Sequence, residues 1–308
     1  MQTLVTGASG AIGGALVPAL ALAGHDVRAL ARDPARVLAP GVGEIVRGDV
    51  VTGAGLDEAL TGAQIAYYLV HSMEPVAAGA GAFAERELRA AGNFAAACAR
   101  AGVRRVVYLG GLVPAGRAPS EHLRSRLRVE ETLLGAAPES VALRASIVIS
   151  AASRSFRFLV RLVERTPVLP LPAWRDHRTQ PIDGRDVVAY LLAAGTSDAI
   201  DGPRSLDIAG PDVLTYGEIV ERIRDALLLG RPRLKLPFSL TPVASVVAAR
   251  IAGEELELVG PLMEGLGGDL LPRDDAARLL FGVRLHHFGA AVDRALRDWE
   301  AVEPLAAR

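Results

Sequence analysis

Lysine, cysteine and net charge are nearly missing from this chain of 308 residues. Lys235 is the only lysine, and arginine supplies the rest of the 34 basic residues. The single cysteine, Cys98, excludes an intrachain disulfide and favours a cytoplasmic location. The net charge of −1 gives no electrostatic footprint for nucleic acid, so we expect no nucleic-acid partner.

Long apolar runs are missing as well, although 50% of the residues are hydrophobic. No run of about 18 or more apolar residues is free of glycine and proline, which argues against a membrane span. No spacing of histidine and cysteine indicates a metal site, and we interpret His286 and His287 as a surface pair. The hydrophobic content suffices for a large α/β core, with or without a smaller lobe.

The segment Gly7-Ala-Ser-Gly10-Ala-Ile-Gly13 follows a short apolar run and precedes an Ala/Leu-rich stretch. In a strand–turn–helix unit, the first glycine permits the turn and the second lets backbone approach a pyrophosphate. The third lets the helix pack closely on the strand, and the N–H groups at the helix start favour an anion. We therefore expect the diphosphate of a dinucleotide to contact Gly7, Ser9, Gly10, Ala11, Ile12 and Gly13.

Strand-like and helix-like segments alternate after this motif. Strands are predicted at 26–30, 44–47, 65–70, 104–109 and 141–145, and helices at 11–23, 80–101 and 118–135. This alternation predicts an α/β fold with a doubly wound, Rossmann-type parallel sheet over residues 1–200. Prolines interrupt the pattern beyond residue 150. We expect residues 201–308 to form a smaller, helix-rich C-terminal lobe on the substrate side.

The residues that follow each strand carry the ligand contacts in such a sheet. Arg32 and Asp33 follow the second strand; an arginine suits the 2′-phosphate of NADP, and an aspartate suits the ribose of NAD. Because Asp33 precedes Pro34 and is equally suited to cap a helix, we favour Arg32 as the ligand and NADP(H) over NAD(H). Asp49 and Val50, after the third strand, fit an adenine contact or an ordinary loop.

These residues, together with Tyr108-Leu-Gly-Gly-Leu112 and Leu143-Arg-Ala-Ser-Ile-Val148, resemble the atypical short-chain dehydrogenase/reductases. More narrowly, the chain is similar to their NmrA-like, NAD(P)H-binding group, closely over the first 200 residues and loosely afterwards. The resemblance implies a Rossmann fold, a nicotinamide cofactor and an oxidoreductase. The further cofactor contacts expected after the fourth and fifth strands are Val70, His71, Ser72 and Gly110.

The chain departs from the catalytic pattern of that superfamily, which uses a Tyr-x-x-x-Lys pair and a serine or threonine after the fifth strand. No Tyr-x-x-x-Lys exists, because Arg231 stands four residues before the only lysine. Where the pair should fall, the sequence has His122 and Arg126, and Gly110-Gly111 replace the serine.

Three sources of a catalytic proton therefore remain open. His122 is one, with Arg126 as the positive charge on the same helix face, unless both are ordinary surface residues. Water is another, if hydride passes directly to a quinone or an activated alkene. The remaining source is the fourth strand and its loop, with Tyr68, His71 and Ser72. Since Tyr67 and Tyr68 point to opposite faces of the strand, at most one of them faces the cleft.

We expect an NADP(H)-dependent oxidoreductase, a monomer or homodimer, that acts on a small organic carbonyl, quinone or alkene. The alternative is a non-catalytic NAD(P)H-binding redox sensor or structural subunit, which the missing tyrosine and lysine favour. A nucleotide-sugar epimerase is less favoured, because its proton relay normally uses the same two residues. Candidate substrate-side residues are Glu74, Arg144, Trp174, His177 and Gln180. Arg144 could instead form an ion pair with an acidic neighbour, and Trp174 could instead serve packing.

Overall fold

The computed structural model describes residues 1–70, 80–116, 118–235 and 266–305. Seven parallel strands form its central sheet: β1 (Gln2–Thr6), β2 (Asp26–Ala31), β3 (Val42–Arg47), β4 (Ile65–Tyr68), β5 (Arg105–Gly111), β6 (Val141–Ala145) and β11 (Arg204–Ile208). Their spatial order is β11-β6-β5-β4-β1-β2-β3. The chain therefore reverses direction across the sheet between β1 and β4, which is where a doubly wound sheet binds its ligand.

Helices cover both faces of the sheet because successive strand residues point to opposite sides. One face buries α1 (Ala11–Leu22) and α6 (Gly184–Thr196) against strand residues such as Val5, Tyr67 and Leu143. The other face buries α2 (Leu56–Leu60), α3 (Ala80–Ala101) and α4 (Glu121–Leu134) against Leu4, Tyr68 and their neighbours. The predicted doubly wound α/β fold is confirmed.

A separate hydrophobic core lies in the smaller lobe. It is built from α5 (Arg154–Arg165), α7 (Tyr216–Ala226) and α9 (Phe288–Glu300), around the fully buried ring of Trp299. Helix α8 (Ala276–Phe281) packs instead on α6 and β11. Short strands pair two by two beside this core: β7 (Val148–Ile149) with β10 (Ile182–Asp183), β8 (Leu169–Leu171) with β13 (Arg233–Lys235), and β9 (Arg178–Thr179) with β12 (Leu214–Thr215).

The two cores interleave along the chain around position 200. Strand β11 follows that position but belongs to the main sheet, whereas α5 precedes it and belongs to the smaller core. A division into two domains at residue 200 stays a prediction. Within the described ranges, no helix has both the length and the apolar content that a bilayer crossing needs.

Candidate cofactor and active site

The glycine turn between β1 and α1 leaves no room for side chains. Gly7 has a φ of +77°, and a Cβ there would lie 2.6 Å from the carbonyl oxygen of Leu69. A Cβ on Gly13 would lie 2.3 Å from the carbonyl oxygen of Gly7, so only glycine lets α1 start this close to the strand. No side chain within the described ranges caps α1, so its first N–H groups suit an anion.

A cleft of about 490 Å³ opens beside this turn, between the carboxyl ends of β1, β2 and β4. Most of the predicted cofactor contacts line it: Gly7, Ser9, Gly10, Arg32, Asp49, Val50 and Val70. Ala11 and Ile12 instead line a neighbouring cavity of about 330 Å³ between α1, α6 and α9. Gly13 is buried in the first turns of α1.

Two adjacent charged residues at the tip of β2 differ in their surroundings. The carboxylate of Asp33 caps the following 3₁₀ turn, Pro34–Arg36, by accepting the N–H of Ala35 at 3.2 Å. Arg32 is exposed and lines the cleft. The structure confirms that Asp33 can cap this turn, which uses one hydrogen bond to Oδ1, and Asp33 also lines the cleft.

Two further arginines line the cleft and were not singled out in the sequence. Arg36 belongs to the 3₁₀ turn after β2, and Arg86 comes from α3, fifty residues later in the chain. Arg36 could have been found from its closeness to Arg32 in the sequence. Nothing in the sequence pairs Arg86 with the tip of β2.

The loop after β3 is held by hydrogen bonds rather than left open. Asp49 accepts the N–H of Val51 at 2.8 Å, and the amide of Asn93 on α3 donates to the carbonyl oxygens of Val50 and Val51 at 3.1 and 2.8 Å. The side chain of Val50 is buried, while Asp49 is partly exposed. This loop forms a fixed wall of the cleft.

The two tyrosines of β4 point to opposite faces of the sheet, as expected from strand geometry. The Tyr67 hydroxyl donates to the carbonyl oxygen of Leu191 at 3.2 Å, and the Tyr68 ring packs edge-on against Phe94, with 5.0 Å between centroids. Burial raises the pKa of Tyr68, and the neighbouring Glu87 carboxylate raises it further. Its burial argues against Tyr68 as the proton donor, and we do not carry that role forward.

The first turns of α4 place Arg126 over the end of β5, with His122 one turn earlier on the helix. Arg126 Nη2 donates to the carbonyl oxygen of Leu109 at 2.6 Å, and its guanidinium carbon lies 5.4 Å from the centre of the Tyr108 ring. His122, one turn earlier, is partly exposed, and its ring lies 6.4 Å from that of Phe83 on α3. A cation and an imidazole thus stand on the same side of α4.

Gly110 occupies the position of the superfamily serine, and the space beside it is filled. A Cβ there would lie 3.1 Å from Cε1 of Tyr108 and 3.5 Å from Oε2 of Glu130. The glycine is therefore explained by the close approach of the Tyr108 ring. A serine at this position would require that ring to move.

Several substrate-side candidates are engaged inside the protein. Arg144 pairs with Glu130, Gln180 donates to the carbonyl oxygen of Gly210 at 2.6 Å, and Nδ1 of His177 contacts the carbonyl oxygen of Leu266 at 2.6 Å. Trp174 is nearly buried against Tyr216. The predicted contacts His71 and Ser72, with Glu74, lie outside the described residues.

The adjacent histidines near the start of α9 lie at the surface, with side chains 42% and 76% exposed, and both contact carboxylates. Nδ1 of His286 contacts the buried carboxylate of Asp186 at 2.6 Å, and Nδ1 of His287 contacts Asp212 at 2.9 Å. The interpretation as a surface pair is confirmed, whereas the aspartate partners, 100 and 75 residues away in the chain, were not predicted. In the described ranges, no group of three or more His, Cys, Asp or Glu residues is placed to hold a metal ion.

This glycine turn, helix N-terminus and cleft at the reversal of the strand order define a Rossmann-type dinucleotide-binding protein. The NmrA-like family model matches residues 2–204, so the chain belongs to the NmrA-like family. The predicted resemblance to the NmrA-like group of the short-chain dehydrogenase/reductases is thereby confirmed.

Two curated proteins and one solved structure place the chain among its relatives. It is 31% identical over 236 residues, 74% of each chain, to (4-alkanoyl-5-oxo-2,5-dihydrofuran-3-yl)methyl phosphate reductase of Streptomyces griseus. It is 30% identical over 148 residues to mitochondrial NADH dehydrogenase (ubiquinone) 1 alpha subcomplex subunit 9 of Arabidopsis thaliana, covering 48% of this chain but only 36% of the plant protein. MoeE5, solved with UDP-glucose and NAD, superposes with a TM-score of 0.72 at 21% identity, covering 98% of this chain and 99% of that one.

Proposed function

We propose that this protein is an NADP(H)-dependent reductase that transfers hydride to a small organic carbonyl, quinone or activated alkene without a Tyr-x-x-x-Lys pair. The observation that carries the proposal is the glycine-walled cleft with arginines at the tip of β2. Arg126 on α4 reaches the end of β5 through the Leu109 carbonyl oxygen, with His122 one turn earlier on the helix. The similarity to a reductase over 74% of both chains supports this reaction class.

The residues of the cleft fit a dinucleotide. The turn at Gly7 and Gly13 forms a cradle that any Cβ would fill, and the N–H groups at the start of α1 would hold the diphosphate. Arg32 would hold the 2′-phosphate, since a guanidinium matches phosphate geometry and Arg32 lines the cleft. The solved MoeE5 complex with NAD supports a nicotinamide cofactor in this fold.

The bound nicotinamide would supply a hydride. The reduced substrate also needs one proton, which would come from a side chain of the protein or from water. His122 would hold that proton, because an imidazole exchanges protons near neutral pH. Arg126 is fixed by the Leu109 carbonyl oxygen and would keep a positive charge beside the developing oxyanion. Water would take the place of His122 where the acceptor needs no protein donor.

The test is consumption of NADPH by purified protein with a panel of aldehydes, quinones and open-chain enones. Oxidation of NADPH that depends on one class of acceptor supports the proposal. Tight NADPH binding without consumption across the panel would favour the second candidate below.

A non-catalytic dinucleotide-binding role is the second candidate. Two observations favour it: the missing tyrosine and lysine, and the similarity to a subunit of a mitochondrial NADH dehydrogenase over 148 residues. In this role the cleft would bind NAD(P)H for structure or for sensing the redox state. A protein of this kind would bind the cofactor with the same residues and oxidise none of it.

A further inference from the structure

The cavity of about 330 Å³ between α1, α6 and α9 is distinct from the cofactor cleft, and none of the described residues lines both. Much of its wall is apolar, because short or branched aliphatic side chains from the three helices meet there. They include Ala11, Ile12 and Ala15 from α1, Val188 from α6, and Ala291 and Ala295 from α9. The alanines leave open a space that longer side chains would fill.

Two ion pairs line this cavity, and they differ in how completely they are formed. Asp183 is nearly buried and accepts both the N–H and the Nε–H of Arg185, at 2.8 and 3.0 Å. Arg294 and Asp298, one turn apart on α9, approach only to 3.5 Å, and their side chains are 51% and 56% exposed. Within the described ranges, neither of these two side chains makes a hydrogen bond. The donors of Arg294 are therefore available to a ligand, whereas the Asp183 carboxylate is engaged.

The face that α9 turns toward the cavity combines a cation with an apolar surface. Ala291, Arg294, Ala295 and Asp298 recur at intervals of three and four residues, so they share one side of the helix. A hydrocarbon placed against the alanines would leave water, and a guanidinium binds a carboxylate through two parallel hydrogen bonds. Because an exposed ion pair contributes little to stability, the Asp298 side chain can turn to solvent when a ligand carboxylate replaces it.

We propose that this cavity binds a small carboxylate with an aromatic or branched hydrocarbon tail. The carboxylate would pair with Arg294, and the tail would lie against the alanines of α1 and α9. Asp298 would oppose binding, because it carries the same charge as the ligand and competes for the same guanidinium. This site is separate from the cofactor cleft, so the inference goes beyond the proposed function and does not depend on it.

Three probes separate the two parts of the ligand. 3-Phenylpropionate has both the tail and the charge, 3-phenylpropan-1-ol has the tail alone, and acetate has the charge alone. Calorimetric titration of the purified protein should show saturable binding of 3-phenylpropionate. The alcohol and acetate should each bind at least about tenfold more weakly, because each lacks one of the two interactions.

Four variants test the residues that would hold the ligand. Arg294→Gln removes the cation and Ala15→Leu fills the cavity from an exposed position on α1, so each should raise the Kd of 3-phenylpropionate at least about tenfold. Asp298→Asn should lower the Kd about threefold, because the competing charge is gone. Arg297→Gln is the matched control: Arg297 is an exposed arginine of α9 that does not line the cavity, and its Kd should stay within about twofold.

Absence of 3-phenylpropionate binding, or equal binding of the alcohol, would overturn the carboxylate site. An unchanged Kd in Arg294→Gln or in Ala15→Leu would overturn it as well, since the probe would then bind elsewhere. Full competition between 3-phenylpropionate and NADP⁺ would contradict a site separate from the cofactor. If the protein binds 3-phenylpropionate as expected but oxidises no NADPH, the carboxylate site is supported and only the reductase proposal fails.

Discussion

Glu130 and Arg144 form a buried ion pair with two parallel contacts that joins α4 to β6. Arg144 Nη2 lies 2.5 Å from Oε1 of Glu130 and Nε lies 2.9 Å from Oε2, and the two side chains are only 13% and 5% exposed. Ser205 on β11 donates to the same carboxylate at 2.5 Å. This network fixes where α4 sits on the sheet, and therefore where His122 and Arg126 stand.

Removing the charge of Glu130 should destabilise the fold. In Glu130→Gln, Arg144 loses its closest carboxylate partner but keeps Asp207 at 3.9 Å, so we expect a loss of about 1–3 kcal/mol of unfolding free energy. Urea denaturation measures the change. Arg100→Gln is the matched control, because Arg100 and Asp57 form an exposed pair worth less than about 1 kcal/mol. Equal losses in the two variants would contradict a structural role for the buried pair.

Two neighbouring glycines allow a matched test of the cradle. A Cβ on Gly13 would meet the Gly7 carbonyl oxygen at 2.3 Å, whereas a Cβ on Gly14 would be 3.5 Å from its nearest neighbour, an ordinary contact. We expect Gly13→Ala to lose NADPH affinity by roughly a hundredfold or more, since the turn must shift to admit the methyl group. Gly14→Ala should bind NADPH as the unmodified protein does. Similar NADPH affinities in both variants, measured by calorimetry, would show that the glycine turn does not bind the diphosphate of the cofactor.

Reversing the charge of Arg32 should discriminate between the cofactors. Arg32→Asp should weaken NADPH binding at least about tenfold more than NADH binding, because only NADPH carries the 2′-phosphate. Arg284→Asp makes the same charge change at an exposed position that does not line the cleft, and should leave both affinities unaltered. Equal losses of NADPH and NADH binding in Arg32→Asp would exclude Arg32 as the phosphate ligand.

The proton donor is tested by turnover of the His122→Phe variant. We expect kcat for NADPH oxidation to fall about a hundredfold or more, the usual size of a general-acid contribution, with an unchanged Kd for NADPH. A pre-steady-state trace separates hydride transfer from product release. Unchanged turnover would leave water or the loop after β4 as the proton source.

The start of α6 should contribute to loss of stability in acid. Burial would raise the pKa of Asp183, but its hydrogen bonds with the side chain and N–H of Arg185 outweigh burial and hold the pKa below the ordinary 3.8. A carboxylate with a lowered pKa stabilises the fold above its unfolded-state pKa, and this contribution fades as the pH falls through the folded-state value. The Tm difference between the unmodified protein and Asp183→Asn should therefore be larger at about pH 6 than at about pH 3. A Tm difference that does not change with pH would contradict this contribution of Asp183 to stability.

The alternation of apolar strands and helices predicted the main sheet well. It placed β1 to β6 within a few residues, because buried parallel strands are short, apolar and separated by helices. Helix α5 was missed although its four arginines recur at intervals of three and four residues, the spacing of one face of an amphipathic helix. Two of them, Arg157 and Arg161, stack on Trp299 and pair with Glu303, partners that lie more than 130 residues away. The periodicity was therefore a usable signal for the helix, whereas its distant partners could not be predicted from the local sequence.

The glycine turn was more predictable than the packing around β4 and β5. Gly7 and Gly10 belong to a local sequence motif, whereas Arg32 was singled out by its position directly after β2. The burial of Tyr68 depends on Phe94 from another helix, and the filled space beside Gly110 depends on the Tyr108 ring and Glu130. These features come from packing between distant elements, which strand and helix patterns do not encode.

The most direct test of the central claim is a calorimetric titration of the purified protein with NADPH and, separately, with NADH. We expect saturable binding of one equivalent, with NADPH bound more tightly than NADH. Tighter NADH binding would contradict the phosphate role of Arg32 while leaving the cleft as the cofactor site. No saturable binding of either dinucleotide would contradict the assignment of the glycine-walled cleft itself.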